Sequence, residues 1–159
     1  MNNKLIKNIV KQLQDIQEQE NWLDENFEKK IGQISDEQAF QRPLPELHSV
    51  AELISHLCVW RMESIKKLTG LESHLTVESP ENWRTNEELK TIGWQKVKSD
   101  FYQSQHKLIQ LIENKSDEYL ENEYADGSKF QYLIEGLIHH DLYHLGQMGI
   151  TIKFLNLKK

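Results

Sequence analysis

Cysteine is almost absent from the 159-residue chain. The single Cys58 excludes an internal disulfide, and a reducing cytoplasm is the expected setting. With only 3 prolines and 7 glycines, the chain has too few turn formers for many short strands, which leaves long helices. No stretch approaches the roughly 20 apolar residues that a membrane helix needs. Positive charge is in the minority, 19 Lys and Arg against 25 Asp and Glu for a net charge of −6. A chain of that sign repels phosphate backbones, so nucleic acid is not an expected partner. The opening Met1-Asn2-Asn3-Lys4 leads into a polar amphipathic run and not into the apolar core of a signal peptide. At 38% hydrophobic residues, the chain has enough apolar material for one core, and residues 1–159 are expected to form a single domain.

Apolar periodicity predicts four long helical segments. In the first, about Lys4 to Ile31, Leu5, Ile9, Leu13, Ile16, Leu23 and Phe27 recur at one-face spacing. Ser35-Asp36-Glu37-Gln38 has the form of a capping box opening a short turn, and Pro43 and Pro45 then exclude helix. A second capping box, Ser49-Val50-Ala51-Glu52, makes Ser49 the N-cap of a helix that carries Val50, Leu53, Ile54, Leu57 and Leu68 and stops at Gly70. Residues 71–85 read as a connector with no clear period. The third helix, about Glu87 to Glu113, presents Leu89, Ile92, Val97, Phe101, Leu108 and Ile112 and holds Gly93 in its interior. Asp126-Gly127 marks a turn, and the fourth helix runs from about Ser128 to Leu157. Four such segments predict an all-α four-helix bundle. The connector of about fifteen residues can reach roughly 50 Å when extended, more than the about 30 Å of a twenty-residue helix. It therefore permits parallel second and third helices, in an up-down-down-up order.

Seven histidines stand at positions 48, 56, 74, 106, 139, 140 and 144. On a helical wheel His140 and His144 fall with Leu133, Leu137, Met148, Thr151 and Leu155 in one stripe about 60° to either side of Leu133. His139 points away toward solvent. Two imidazoles one turn apart on a buried face are either core histidines bonded to facing side chains or a pair of metal ligands. An i, i+4 pair can converge on an ion about 2.0–2.1 Å from each nitrogen. His56 sits at the edge of the second helix's apolar stripe, where it is a boundary residue or a third ligand. His48 reads as a loop residue, His74 lies in the connector and His106 in the third helix. His140-Asp141-Leu142-Tyr143-His144 departs from the metalloprotease motif H-E-x-x-H because Asp141 is one methylene shorter than the Glu that acts there as base, and no glycine-rich elbow follows.

The segment His139-His140-Asp141-Leu142-Tyr143-His144-Leu145-Gly146-Gln147-Met148 resembles the carboxy-terminal signature of the DinB-like family, an H-x-x-x-H followed by Gly-Gln. Ser49-Val50-Ala51-Glu52-Leu53-Ile54-Ser55-His56-Leu57, about 85 residues earlier, resembles that family's capped helix with an inward histidine. The resemblance implies an up-down-down-up bundle holding a divalent metal, zinc or nickel, on His56, His140 and His144. It also implies a small-molecule substrate, in several members a low-molecular-weight thiol, and a homodimer. Three neutral imidazoles leave a coordination position open, as catalytic zinc sites do.

Such a site serves either of two chemistries, because a bound cation acidifies a thiol and a water alike. A metal-dependent transferase activating a thiol for attack on an electrophile is the first expectation. A metal-dependent hydrolase and a non-enzymatic metal-binding stress-response protein are the alternatives. Gln147 is a surface residue or a hydrogen-bond partner for a ligand or substrate. Asp141 either orients a ligand imidazole, is solvated or makes a salt bridge. Trp22, Trp60, Trp94, Phe101 and Tyr143 are read as core or dimer interface, with Trp60 also a candidate for the pocket wall. Cys58 is read as a small apolar residue.

Overall fold

In the computed structural model, which describes residues 2–125 and 127–157, the four expected helical segments become six α-helices. These are α1 (Lys4–Gln17), α2 (Phe27–Ile31), α3 (Val50–Leu68), α4 (Asn86–Ile92), α5 (Trp94–Ile112) and α6 (Phe130–Leu157). No helix among the described residues is long and apolar enough to cross a membrane.

The first expected helix ends early, at Gln17 and not Ile31, because asparagine side chains take over the backbone groups. The Asn21 amide donates to the carbonyls of Asp15 and Glu25 at 2.9 and 2.8 Å, and the Asn26 amide donates to that of Gln19 at 3.0 Å. Asn26 Oδ1 then accepts the Lys29 N–H at 2.8 Å and caps α2. Local side-chain bonds of this kind offer the chain an alternative to helix. Ile9, Leu13, Ile16 and Phe27 are buried as expected, whereas Leu5 and Leu23 are exposed and Ile6 takes the inward place beside Leu5. The Ser35–Gln38 box forms reciprocally and leads into a 3-10 turn, Gln38–Phe40.

The third expected helix is also two. Gly93, placed inside it by periodicity, takes φ +91° and ψ +139° and separates α4 from α5. Thr85 caps α4 in a capping box with Glu88 that the sequence reading did not register. A continuous helix would make Gly93→Ala stabilising. The observed backbone reverses the sign, because an L side chain rarely adopts positive φ. The substitution is expected to cost at least about 1 kcal/mol, read as a lowered urea midpoint. Gly70 serves differently, at φ +71° just past α3. Its N–H reaches the Lys67 carbonyl and the Leu71 N–H that of Lys66, a Schellman ending where the sequence predicts the stop.

Two short antiparallel strands, β1 (Glu123–Ala125) and β2 (Ser128–Lys129), flank the expected turn, of which Asp126 lies outside the described residues. They were not expected, being too short to show a period. The fourth helix consequently begins at Phe130, not Ser128.

The long helices pack as two diagonals: α3 contacts α5 and α6, and α1 contacts the same two. At one end the Thr151 hydroxyl donates to the His48 carbonyl just before α3 (3.0 Å). At the other, the Tyr119 hydroxyl donates to the Leu68 carbonyl (3.1 Å) while its ring meets Phe130 edge-on. α3 and α6 therefore run antiparallel. Asp117, just beyond α5, accepts the N–H groups of Leu5 and Ile6 (3.1 Å each), supplying the missing amino-terminal cap of α1. The core between the helices is built from residues such as Leu13, Phe27, Leu53, Ile54, Leu57, Phe101, Leu108, Ile134 and Met148.

Candidate metal centre

The register of α3 is fixed at its first turn. Ser49 Oγ accepts the Glu52 N–H at 3.1 Å and Glu52 Oε2 accepts the Ser49 N–H at 2.8 Å. The Arg42 Nε donates to the same carboxylate at 2.9 Å, and with His48 it helps hold the Glu52 pKa down to about 2 against the cost of burial. With the helix started there, His56 falls two turns in, on the buried side. The opposing α6 carries His140 and His144 one turn apart, and the three imidazoles meet. Their ligand atoms all lie within 4.8 Å of one another. Ring centroids are 4.8 Å apart for His56–His140 and for His56–His144, and 4.6 Å for His140–His144.

Hydrogen bonds on the far sides of two rings settle which nitrogens face inward. His56 Nδ1 lies 2.9 Å from the Asn82 carbonyl oxygen, which can only accept, so the proton sits on Nδ1 and the Nε2 lone pair turns to the centre. His144 Nδ1 lies 2.7 Å from the Gln147 side-chain oxygen, leaving its Nε2 free as well. His56 Nε2 and His140 Nε2 stand 2.9 Å apart. Burial lowers the pKa of all three. That of His140 falls to about 3, with the neighbouring imidazoles and Arg61 adding to the effect, and that of His144 to about 4. The rings are therefore neutral at pH 7, the form that donates a lone pair to a metal.

The donor set fits a divalent ion. Two nitrogens on one zinc stand roughly 3.3 Å apart at the tetrahedral angle, so the observed cluster needs only small side-chain rotations to close on one. Beside the imidazoles opens a cavity of about 680 Å³, walled by Trp60, Trp83, Tyr124, Tyr132, Leu133 and Leu137, with Glu135 and His139 also on its lining.

The profile of the DinB superfamily matches residues 21–148, which take in all three histidines. The chain belongs to the DinB superfamily. No curated protein and no solved structure matches it. Set against the superfamily resemblance, the three predicted ligands His56, His140 and His144 come together, and the remaining histidines do not join them. His106 and His74 are exposed, the latter 3.4 Å from the carboxylate of Glu72. His139 is exposed as expected but borders the cavity. His48, read as a loop residue, stacks on Trp83.

Other assignments divide. Asp141 hydrogen-bonds no imidazole among the described residues. It is fully buried and paired with Arg61 at 2.9 Å, the salt-bridge alternative. Gln147 bonds the His144 ring, the alternative to a surface role. Trp60 lines the cavity, and Trp94 and Phe101 belong to the core. Trp22 (95% exposed) and Tyr143 (64% exposed) do not. Cys58 is half-buried, its thiol pKa pushed up by burial, and it lines a separate cavity between α3 and α5.

Three residues that shape the surroundings of the histidine cluster were missed. Asn82 and Trp83 lie in the connector, in a 3-10 turn, Pro80–Trp83, whose proline at the first position was a legible start signal. Arg61 was also legible, because Leu57, Arg61, Ser64 and Leu68 share one helical stripe and a charge in the middle of it must have a buried partner.

Proposed function

We propose that this protein is a metal-dependent transferase that holds zinc or nickel on His56, His140 and His144 and activates a low-molecular-weight thiol for attack on an electrophile. The convergence of three neutral imidazoles beside an apolar cavity carries this proposal. A divalent ion bound there would supply the positive charge that turns a weakly acidic thiol into a nucleophilic thiolate. The chain's own residues do the rest. His56 and His144 present Nε2 lone pairs with their protons held on Nδ1, and neutral His140 adds a third once its ring proton moves from Nε2 to Nδ1. Trp60, Leu133 and Leu137 exclude water and give an electrophile an apolar surface to bind. The new bond joins sulfur to carbon, the electrophile's leaving group departs with the bonding pair, and the thiol proton passes to solvent.

The scaffold proposed is an up-down-down-up four-helix bundle, supported by the antiparallel contacts of α3 with α6 and of α1 with the segment after α5. A homodimer is proposed as well, supported by Tyr143, Ile150 and Phe154 left exposed along α6. The proposed location is the cytoplasm.

One observation favours a hydrolase as the second reading. Glu135 stands on the cavity wall with one carboxylate oxygen bound by the Gln131 amide (2.9 Å), a general base that the sequence did not reveal. Assays on untagged protein separate the two. A chlorinated nitrobenzene is expected to be conjugated only when both metal and thiol are present, with chelator lowering the rate at least tenfold. Ester cleavage that persists without thiol and disappears in Glu135→Gln would replace the transferase by the hydrolase. Stoichiometric metal with neither activity would leave a metal-binding protein.

A further inference from the structure

The connector supplies a structure that the metal ligands themselves do not explain. Trp83 is stacked face to face between two imidazoles. It lies 3.9 Å from His56 at an interplanar angle of 6° and 3.8 Å from His48 at 5°. Both faces of the indole are thereby covered. The far end of this column is tied to α6, because the His48 carbonyl accepts the Thr151 hydroxyl. The preceding residue, Asn82, is buried and uses every polar group it has nearby. Its backbone carbonyl takes His56 Nδ1. Its side-chain oxygen accepts Trp60 Nε1–H at 2.8 Å, and its amide donates to the Val77 carbonyl at 2.7 Å.

A histidine ring has two freedoms that matter to a ligand, its rotation about χ2 and its choice of tautomer. Stacking against a fixed indole removes the first. A carbonyl facing Nδ1 removes the second. Gln147 faces Nδ1 of His144 in the same way, but among the described residues the rings around His144 meet it edge-on and not face to face. His56 is therefore the most constrained of the three, and the constraint comes from a segment distant from it in sequence.

We propose that the Pro80–Trp83 turn is a positioning element, in which Trp83 and Asn82 fix the plane and tautomer of His56 and so set the affinity of the His56–His140–His144 site for a divalent ion. This rests on the metal-site proposal above, and neither residue is a ligand. Partners that orient ligand histidines typically change metal affinity about 10–100-fold when removed.

The test uses the full chain, with zinc affinity measured by competition against a chromophoric chelator and with Co²⁺ as a spectroscopic probe. Trp83→Leu is expected to weaken zinc binding at least tenfold and to alter the visible Co²⁺ bands, while Trp83→Phe, which keeps a stacking ring, stays within about threefold of wild type. Melting of the metal-free proteins checks that each variant folds. A second measurement needs no substitution. Long-range 15N–1H spectra of the metal-free wild type are expected to find the His56 ring protonated on Nδ1. A folded Trp83→Leu with wild-type zinc affinity, or a His56 ring protonated on Nε2, overturns the proposal. Should Trp83→Leu fail to fold, Trp83→Phe and the tautomer decide alone. Failure of the wild type itself to bind zinc would instead remove the metal site, a separate result.

Discussion

His140→Leu is expected to abolish stoichiometric metal binding and to leave the metal-free protein as stable as wild type, within about 1 kcal/mol. The two halves of this result come from the same fact. His140 is neutral at pH 7 because burial drives its pKa to about 3, and its Nε2 lies 2.9 Å from another imidazole nitrogen. Without metal that contact is a single hydrogen bond, worth about 1 kcal/mol net, and a leucine of similar size offsets its loss by removing a desolvated polar ring. With metal the balance changes. An ion that binds only the folded state at a thousand times its dissociation constant adds about 4 kcal/mol. Wild type should therefore melt several degrees higher with zinc than with chelator, and His140→Leu should melt at one temperature in both. The opposite pattern would be a wild-type melting temperature indifferent to zinc together with a loss of 3 kcal/mol or more in the metal-free variant. It would mean that the imidazoles are core residues bonded to one another. Wild-type protein purified without a histidine tag should in addition carry close to one equivalent of metal.

How much of this was legible in the sequence follows from where the information is local. Capping boxes at Ser35 and Ser49 and the αL stop at Gly70 are encoded within a few residues and formed as read, as did the inward stripe of α6 apart from the half-buried Leu133 and His140. The same holds for His140 and His144, whose relation is one helical turn. His56 is a weaker case. Its wheel position put it at the edge of the stripe, and only the resemblance joined it to the other two. Breaks in long periodic segments were illegible for the converse reason. Leu23 and Phe27 continue the period of α1 by chance, while Asn21 and Asn26 end it through bonds to carbonyls that exist only once the chain has turned. Gly93 falls inside the period of the third segment, though the folded chain uses it as a corner. Asn82 and Trp83 illustrate the largest gap. Nothing in a connector's period reveals that it crosses to the face of a histidine more than twenty residues earlier in the chain, yet that crossing builds one side of the site.

Asp141→Ala is expected to destabilise the protein by about 3–5 kcal/mol, the largest effect of any single substitution considered, without touching a ligand. Asp141 and Arg61 are both completely buried, joined by one 2.9 Å contact. Burial pushes the Asp141 carboxyl upward while Arg61 pulls it back. The guanidinium, always charged, further donates to the Phe101 carbonyl at 3.3 Å and lies 4.4 Å over the Phe101 ring. Removing the carboxylate strands that charge in the core. The pair itself is imperfectly satisfied, since Arg61 Nε and Asp141 Oδ1 have no hydrogen-bond partner among the described residues. Its attraction therefore does not fully offset the desolvation of two ions, and the double variant Arg61→Met with Asp141→Leu should recover most of the loss, to within about 1 kcal/mol of wild type or above it. A double-mutant cycle by urea denaturation measures this directly. An additive cycle, in which the double variant is less stable than either single one, would contradict it. Zinc affinity of the folded double variant separates structure from function at this position. Asp141 adjoins His140 in sequence but lies about 100° from it around α6 and spends its bonded carboxylate oxygen on Arg61, so the affinity should stay within about threefold of wild type, whereas a carboxylate that oriented a ligand ring would take at least tenfold with it.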